Sequence, residues 1–315
     1  MPSDSDAREL VLRLLGEPAR SVERFSTGMC HYVYDIVTAS GAHVVARIAN
    51  PDRQEAFAGA VYWSERLRAI GVPLAKILAE DVEGRTCGFA AMILERLPGP
   101  DLGHVYGELT FQQKSALATD MVRIRHTMDA MPLGGGFGFA ATYDGPWQHS
   151  SWADVVAASI DRSRERIVRT GMVSLQYVDL VADAFVRIEP ELRKVAARPF
   201  LDDATTKNVI VHEGRLSGIV DVDELCFGDP LANVALTHTA LLDLGGDTHY
   251  THAWLSGLGI QDQSRERQRF DFYVAMYLLD FLSEIGMQFN KHAPQYVDAM
   301  RQARLEKLLR EQVDL

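Results

Sequence analysis

The chain has 315 residues, of which 47% are hydrophobic and 24% charged, and its mean hydropathy is −0.08. This composition is that of a globular protein long enough for one large domain or two lobes, and no stretch is apolar enough to cross a bilayer. The net charge of −11 argues against nucleic acid as a partner. Three scattered cysteines without metal-ligand spacing, and a polar, acidic N-terminus, predict a reduced, cytoplasmic protein.

Helical and strand patterns are mixed in the first hundred residues. Strand patterns are rich in β-branched and aromatic residues, whereas the helical patterns have apolar residues three and four positions apart. The predicted elements are, in chain order, a helix over 4–15, strands over 31–38 and 43–48, a helix over about 52–70, and strands near 74–78 and 88–94. The small sheet that these strands imply ends at Leu97-Pro98-Gly99-Pro100, which contains the strongest breakers of the chain.

Helical spacing dominates the rest of the chain. Helices are predicted over 111–131, 152–170, 175–197, 230–244, 248–258 and 264–289, with a last one from 294. The only strands predicted in this part are those of one hairpin between 209 and 220. Strands followed by helices indicate an α+β fold with two lobes, which we predict to span residues 1–97 and 98–315.

That hairpin brings polar side chains together at its open end. If Gly214-Arg215 is its two-residue loop, counting back places Asn208 opposite Asp221. Opposed residues of an antiparallel pair hold their Cβ atoms roughly 4.5–5.5 Å apart, and Asp203 lies in the loop just before. Carboxylate and amide oxygens at this spacing suit Mg²⁺. Asp and Asn often flank ordinary surface strands, but the cross-strand position of Asp221 favours a chemical role.

Asp203-x4-Asn208, then Asp221 and Gly228-Asp229-Pro230, resembles the catalytic core of the aminoglycoside phosphotransferase family, over about residues 21–290. These are small-molecule kinases with a protein-kinase-like fold. The resemblance implies a two-lobed structure, with a small antiparallel β-sheet lobe carrying one helix and a larger, mostly helical lobe carrying the catalytic hairpin. It further implies that Asp203 is the catalytic carboxylate, and that Asn208 and Asp221 hold the Mg²⁺ that bridges the phosphates of ATP.

The same resemblance implies nucleotide-binding residues in the N-terminal lobe. Ser26, Thr27 and Gly28 lie where the family has its nucleotide loop, although an ordinary β-turn fits these residues nearly as well. Arg47 takes the place of the lysine that contacts the α- and β-phosphates, and the backbones of Glu95 and Leu97 take the place of the hinge that pairs with adenine.

Two positions depart from the family pattern. Where many members have His-Gly-Asp, this chain has Leu201-Asp202-Asp203, so it lacks a histidine that serves as a structural prop. The expected carboxylate partner of the phosphate-binding residue should lie on the helix that follows. Glu55 and Glu65 are candidates, but the position that aligns is Ala60.

The resemblance implies transfer of a phosphoryl group from ATP to a hydroxyl of a small molecule, such as an aminoglycoside-like antibiotic. Residues after Pro100 include 30 acidic and 21 basic ones, against 13 and 11 before it. An acidic cleft concentrates cations, which favours a cationic acceptor, although acidity also serves solubility alone. The alternatives are a degenerate kinase that binds nucleotide for a regulatory or partner-binding role, and a helical interaction protein.

Overall fold

The computed structural model of the protein describes residues 2–25, 31–50, 56–288 and 295–313. Ten helices lie in these ranges: α1 (Asp4–Leu15), α2 (Ala56–Ala69), α3 (Leu102–Val105), α4 (Phe111–Asp129), α5 (Trp152–Thr170), α6 (Gln176–Leu192), α7 (Leu231–Asp243), α8 (His249–Gly257), α9 (Arg265–Ser283) and α10 (Ala299–Val313). The same ranges contain ten strands: β1 (Ala19–Arg24), β2 (His31–Thr38), β3 (His43–Ala49), β4 (Ile77–Asp81), β5 (Ala91–Glu95), β6 (Gly138–Ala140), β7 (Arg198–Phe200), β8 (Val209–His212), β9 (Arg215–Ile219) and β10 (Leu225–Gly228).

The first five strands form one antiparallel sheet in the order β1-β2-β3-β5-β4. Leu10 and Val11 of α1 are fully buried against this sheet, in a core that includes Tyr34 and Ile36 of β2. Strand β2 has the predicted span because its side chains alternate between this core and the opposite face, which also bears Arg47 of β3. The helix α1 begins with a capping box at Ser3, which satisfies free backbone N–H groups of its first turn.

The larger lobe is mostly helical, and α9 lies in its core. The indole N–H of Trp152 donates to the Tyr273 hydroxyl (2.8 Å), which donates to the Asp229 carboxylate (2.9 Å). Asp229 also accepts from Arg269 (2.6 Å) and from the backbone N–H of Leu231 (3.1 Å). This buried network fixes the start of α7. The antiparallel sheet followed by a helical lobe confirms the predicted α+β fold.

A second sheet of the larger lobe was not anticipated from the sequence. Strands β6, β10 and β7 form a three-stranded antiparallel sheet in that order, so the prediction of a single hairpin in this part of the chain is wrong. These strands are three or four residues long, and Pro199 lies within β7. Strands this short show too little alternation to be recognised.

The hairpin β8–β9 is present, but its predicted register is wrong. Its two-residue loop is Glu213-Gly214, and both residues have positive φ angles (50° and 75°), as a type I′ turn requires. The pairing shifts again between residues 210 and 211, where a bulge lies in the ladder. The backbone carbonyl of Asn208 consequently accepts from the N–H of Val220 (2.9 Å), so Asn208 lies opposite Val220 instead of Asp221.

The segment after β5 connects the lobes by running along this hairpin. The N–H of Val211 donates to the carbonyl of Pro100 (2.9 Å), and Asp101 forms a β-bridge with Ile210. On the other side, Ile219 of β9 donates to the carbonyl of Pro73 (2.8 Å). The hairpin is therefore hydrogen-bonded on both edges to chain that belongs to, or leads from, the small lobe.

A separate contact joins the lobes through α2. The indole N–H of Trp63 donates to the carbonyl of Ala140 (2.8 Å), and its ring lies in an aromatic cluster with Tyr143 and Phe227. Among the described residues, no helix combines the length and the apolar character that a membrane-spanning segment needs.

We predict that Gly99→Ala destabilises the fold. Gly99 has a φ of 98°, and a Cβ atom there would overlap the carbonyl of Val211. The left-handed backbone and the steric overlap together should lower the free energy of unfolding by about 2–4 kcal/mol. Denaturant unfolding measures the change. Gly107→Ala is the control, since a Cβ atom at Gly107 meets nothing within 4 Å; equal effects of the two substitutions would contradict the prediction.

A second prediction concerns His238, which is only 9% exposed and whose Nδ1 lies 2.8 Å from the Thr251 hydroxyl. Burial, with smaller contributions from His252 and Arg267, lowers the pKa of His238 to about 4. Because an unfolded histidine has a pKa of about 6.5, the unfolded state binds more protons between these values. The contribution of the neutral, buried His238 to the free energy of unfolding should be fully present above about pH 6.5. It should fall by about 3 kcal/mol as the pH decreases towards 4.

Unfolding by urea at several pH values tests this prediction. The variant His238→Gln should lose part of its stability at neutral pH and show a flatter decline towards acid than the wild-type protein. His126→Gln is the control, since the side chain of His126 is 65% exposed. An unchanged acid dependence in His238→Gln would show that another group causes the decline.

Candidate active site

The loop before β8 holds Asp203 in a defined position. The amide nitrogen of Asn208 donates to the carboxylate of Asp203 (2.9 Å) and to its backbone carbonyl (2.8 Å). The hydroxyl of Thr205 donates to the other carboxylate oxygen (3.1 Å). Thr205 is itself buried, so its hydroxyl is a fixed donor. These contacts orient the carboxylate while its side chain remains accessible to solvent.

The same contacts settle the orientation of the Asn208 amide. Both of its partners on Asp203 are hydrogen-bond acceptors, so the nitrogen of the amide must face them. Its oxygen is therefore directed away from Asp203 and remains available to a cation. This arrangement fits the oxygen-donor chemistry that Mg²⁺ prefers.

Asp221 lies just past β9 and lines the same small cleft as Asp203. Its φ angle is 63°, a left-handed conformation that non-glycine residues adopt mostly in turns and at functional sites. Its side chain is 48% exposed, and one of its oxygens accepts from Arg47 (2.6 Å). Asp203 and Asp221 thus come together despite the altered register, because the chain bends where the ladder ends.

The carboxyl groups of this cleft influence each other. Desolvation by the surrounding protein raises the pKa of Asp203, with a further contribution from the charge of Asp221, against the hydrogen bonds from Thr205 and Asn208. Burial and the charge of Asp203 raise the pKa of the adjacent Asp202 to about 7. The two neighbours remain distinct, because Asp203 has the Asn208 contact and Asp202 is held through its backbone carbonyl by Asn233 (2.8 Å).

Arg47 extends from β3 towards these carboxylates and is almost fully buried. Its guanidinium donates to Asp221 and forms a two-pronged pair with Asp223, at 2.9 and 3.1 Å. Its charged group also lies 5.2 Å from the centre of the Phe57 ring. Of the two candidate partners on the helix, Glu65 is exposed, and Glu55 lies outside the described residues. Within the described ranges, the carboxylates that contact Arg47 belong to the larger lobe.

Asp223 is the most strongly paired of these acidic residues. Its oxygen Oδ2 lies 3.1 Å from Nε2 of His31, in addition to the contacts with Arg47. Burial opposes its charge, but Arg47 and His31 outweigh that penalty and lower the pKa of Asp223 to about 2. The carboxylate is thus ionised at any pH near neutrality.

The predicted hinge lies at the end of β5. The backbone N–H of Glu95 donates to the carbonyl of Lys76 (2.9 Å), which leaves only its carbonyl for a base. Leu97 follows the strand, and its carbonyl accepts from the guanidinium of Arg96 (3.0 Å). The predicted nucleotide-loop residues Ser26, Thr27 and Gly28 lie outside the described residues.

The sequence alone did not reveal the role of His31 or the pairing of Asp223. His31 begins β2, two residues before Val33, which pairs with Arg47. Residues two apart on a strand share a face, so His31 and Arg47 are neighbours on the cleft side of the sheet. A search for polar residues in phase with Arg47 would have found His31.

Metal binding by this site would need few protein ligands. No group of three or more His, Cys, Asp or Glu side chains in the described ranges is arranged to hold a metal ion. Mg²⁺ usually takes one or two protein groups and completes its shell with water and phosphate oxygens. Asn208 and Asp221 offer an amide oxygen and a carboxylate, which are ligand types that such an ion takes.

Comparison with known proteins agrees with this architecture. The thermostable mutant of aminoglycoside phosphotransferase APH(4)-Ia, in its apo form, is 18% identical and has a TM-score of 0.69, with 96% of this chain and 98% of that chain covered. A ternary complex of a further variant of that mutant with AMP-PNP and hygromycin B is 17% identical, with a TM-score of 0.68 and coverage of 97% and 98%. The GDP and kanamycin complex of APH(2")-IIia is 14% identical, with a TM-score of 0.72 and coverage of 98% of both chains.

These structural likenesses establish the fold, and the sequence identifies the family. Residues 21–273 match the model of the phosphotransferase enzyme family, designated APH. That range contains both the β3 arginine and the whole loop of Asp203 with the hairpin that follows it. The chain belongs to the phosphotransferase enzyme family.

Proposed function

We propose that this protein is a kinase that transfers the γ-phosphoryl group of ATP to a hydroxyl of a small molecule. The observation that carries the proposal is the position of Asp203, which accepts a hydrogen bond from Asn208 and lines a cleft together with Asp221. The carboxylate of Asp221 in turn pairs with a buried arginine of the other lobe. Phosphoryl transfer depends on positioning and on neutralising charge, and these groups supply both. The lobes at 1–97 and 98–315 then contribute nucleotide contacts and the catalytic groups, respectively.

Asp203 acts on the acceptor. Its carboxylate accepts a hydrogen bond from the attacking hydroxyl and orients it, while Asn208 and Thr205 prevent it from rotating. The raised pKa of Asp203 makes it a better proton acceptor than an ordinary aspartate. Fixing the hydroxyl in line for attack supplies much of the rate enhancement that such enzymes need.

The nucleotide would be gripped from both lobes. Arg47 contacts phosphate oxygens, and the Glu95 carbonyl and the Leu97 N–H pair with the edge of the base. Ser26, Thr27 and Gly28 complete the phosphate contacts in this proposal. Asn208 and Asp221 hold Mg²⁺, which when bound neutralises the charge of the phosphate groups.

The acceptor that the site favours is a cationic amino alcohol of the aminoglycoside class. Two structural neighbours are complexes with hygromycin B and kanamycin, which shows what those proteins bind. In this chain, Glu224 lines the cleft beside Asp203 and adds negative charge to it. Carboxylates in a cleft concentrate cationic ligands and can pair with their ammonium groups.

The prediction is that Asp203→Ala abolishes transfer while it spares nucleotide binding. The loss of the proton acceptor should lower kcat at least about 100-fold, because general base catalysis contributes at least that much. ADP release in the presence of Mg-ATP and a panel of aminoglycosides and simpler amino alcohols measures turnover. Calorimetry with Mg-ATP measures binding.

Asp183→Ala is the matched control, since Asp183 is an exposed acid of α6 away from the cleft. Turnover by Asp203→Ala at the wild-type rate would refute the catalytic role. A wild-type protein that binds Mg-ATP but phosphorylates no acceptor would favour the second candidate function, a degenerate kinase. Bound nucleotide at about a hundredfold excess over Kd should stabilise the fold by about 2.7 kcal/mol, so an unchanged Tm would exclude both functions.

A further inference from the structure

The helix α2 has no acidic residue in its first turn, and its first carboxylate is Glu65, which is exposed. In protein kinases, a glutamate of the corresponding helix pairs with the phosphate-contacting lysine and holds it in place. We propose that Asp223, from the other side of the cleft, is the positioning residue for Arg47 and that His31 keeps Asp223 in place. The inference rests on the proposed function, in which Arg47 contacts phosphate.

The geometry of the pair is that of a fixed support. Arg47 donates from two nitrogens to the two oxygens of Asp223, at 2.9 and 3.1 Å. A two-pronged pair of this kind restricts both the direction and the rotation of the guanidinium plane. The contact with Asp221 uses one oxygen only, so it constrains the guanidinium less.

Asp221 and Asp223 differ in solvent exposure, and this difference suits them to different roles. The side chain of Asp223 is 20% exposed, and both of its oxygens are hydrogen-bonded, whereas that of Asp221 is 48% exposed. Asp221 can therefore exchange its contact with Arg47 for a cation from the cleft. Asp223 can keep Arg47 in place during that exchange, because its own contacts face the protein.

His31 and α2 enclose Asp223 from the small lobe. The His31 side chain is 5% exposed, and Nε2 lies 3.1 Å from Asp223, with the ring packed against Phe57 at 4.9 Å between centroids. A Cβ atom at Gly59 would overlap the backbone carbonyl of Asp223. The absence of a side chain at Gly59 lets α2 pack directly on the segment that carries Asp223. Asp223 thus occupies the space beside Arg47 that α2 adjoins.

Binding of ADP without metal tests the inference. Calorimetry in EDTA on the full chain should show that Asp223→Asn weakens ADP binding by about 10- to 100-fold, the range that is typical when a residue that orients a metal ligand is removed. Arg47→Met should weaken binding to a similar extent. The double variant should bind no more weakly than Arg47→Met alone, because Asp223 acts through Arg47. Asp223→Glu should recover part of the loss, which a change in general stability would not explain.

Glu65→Gln is the matched control and should bind ADP as the wild type does. If Asp223→Asn folds poorly in a thermal scan, His31→Gln replaces it, and the expected result is a smaller loss that also disappears in the Arg47→Met background. Unchanged ADP binding in EDTA by Asp223→Asn, with weakened binding only when Mg²⁺ is added, would show that Asp223 is a metal ligand and overturn the inference. A wild-type protein that binds no nucleotide overturns the proposed function itself, whereas normal wild-type binding with an unaffected Asp223→Asn overturns this inference alone.

Discussion

A buried positive charge lies at the point where the two lobes meet. The Arg47 side chain is 7% exposed, and a buried guanidinium is costly unless carboxylates neutralise it and satisfy its donors. The small lobe places this charge on β3, and the larger lobe supplies Asp221 and Asp223. The two lobes are therefore joined across the cleft by an ionic contact whose partners lie far apart in sequence. The residues of that contact are also those that the proposed chemistry requires.

The hairpin β8–β9 positions the polar residues that lie next to this ionic contact. Its edges bond to Pro73 and Pro100, so its position follows the chain that connects the lobes. At its open end, Asn208 comes just before β8, and the chain after β9 leads to Asp221. Because the backbone turns into a left-handed conformation at Asp221, the acidic side chain faces the cleft although the ladder has already ended. The loop before β8 then needs only Asn208 and Thr205 to orient Asp203.

Much of this could be predicted from the sequence, where the local pattern was long or the residue type was distinctive. Strand β2 and helix α5 have the predicted bounds, because each shows several repeats of its period and α5 begins with a Ser151 cap and ends before Gly171. Spacing also singled out Asp203, Asn208 and Asp221, of which Asp203 bonds to Asn208 and shares a cleft with Asp221. Strands β6 and β7, by contrast, are stabilised by their neighbours in the sheet and leave almost no local signal.

The register of the hairpin and the long-range pairing of Arg47 could not be predicted from the sequence, for a different reason. A turn at Glu213-Gly214 with a bulge places the same residues at the site as a turn at Gly214-Arg215 would, so the polar pattern alone did not choose between them. Asp221 and Asp223, the carboxylates that pair with Arg47 among the described residues, lie on neither the same strand nor the next helix. Sequence spacing carries no information about a contact across 176 residues, and the match of Arg47 with Asp223 emerges only when the lobes are packed.

The contacts of Trp63 have a mechanical consequence. Its indole N–H bonds to Ala140, and its ring lies against Tyr143 and Phe227 of the larger lobe. Swinging α2 outward would break that bond and expose an aromatic cluster to water, which is unfavourable. These contacts therefore hold α2 in place beside the cleft and oppose its rotation. Any rotation of α2 would have to overcome that anchoring.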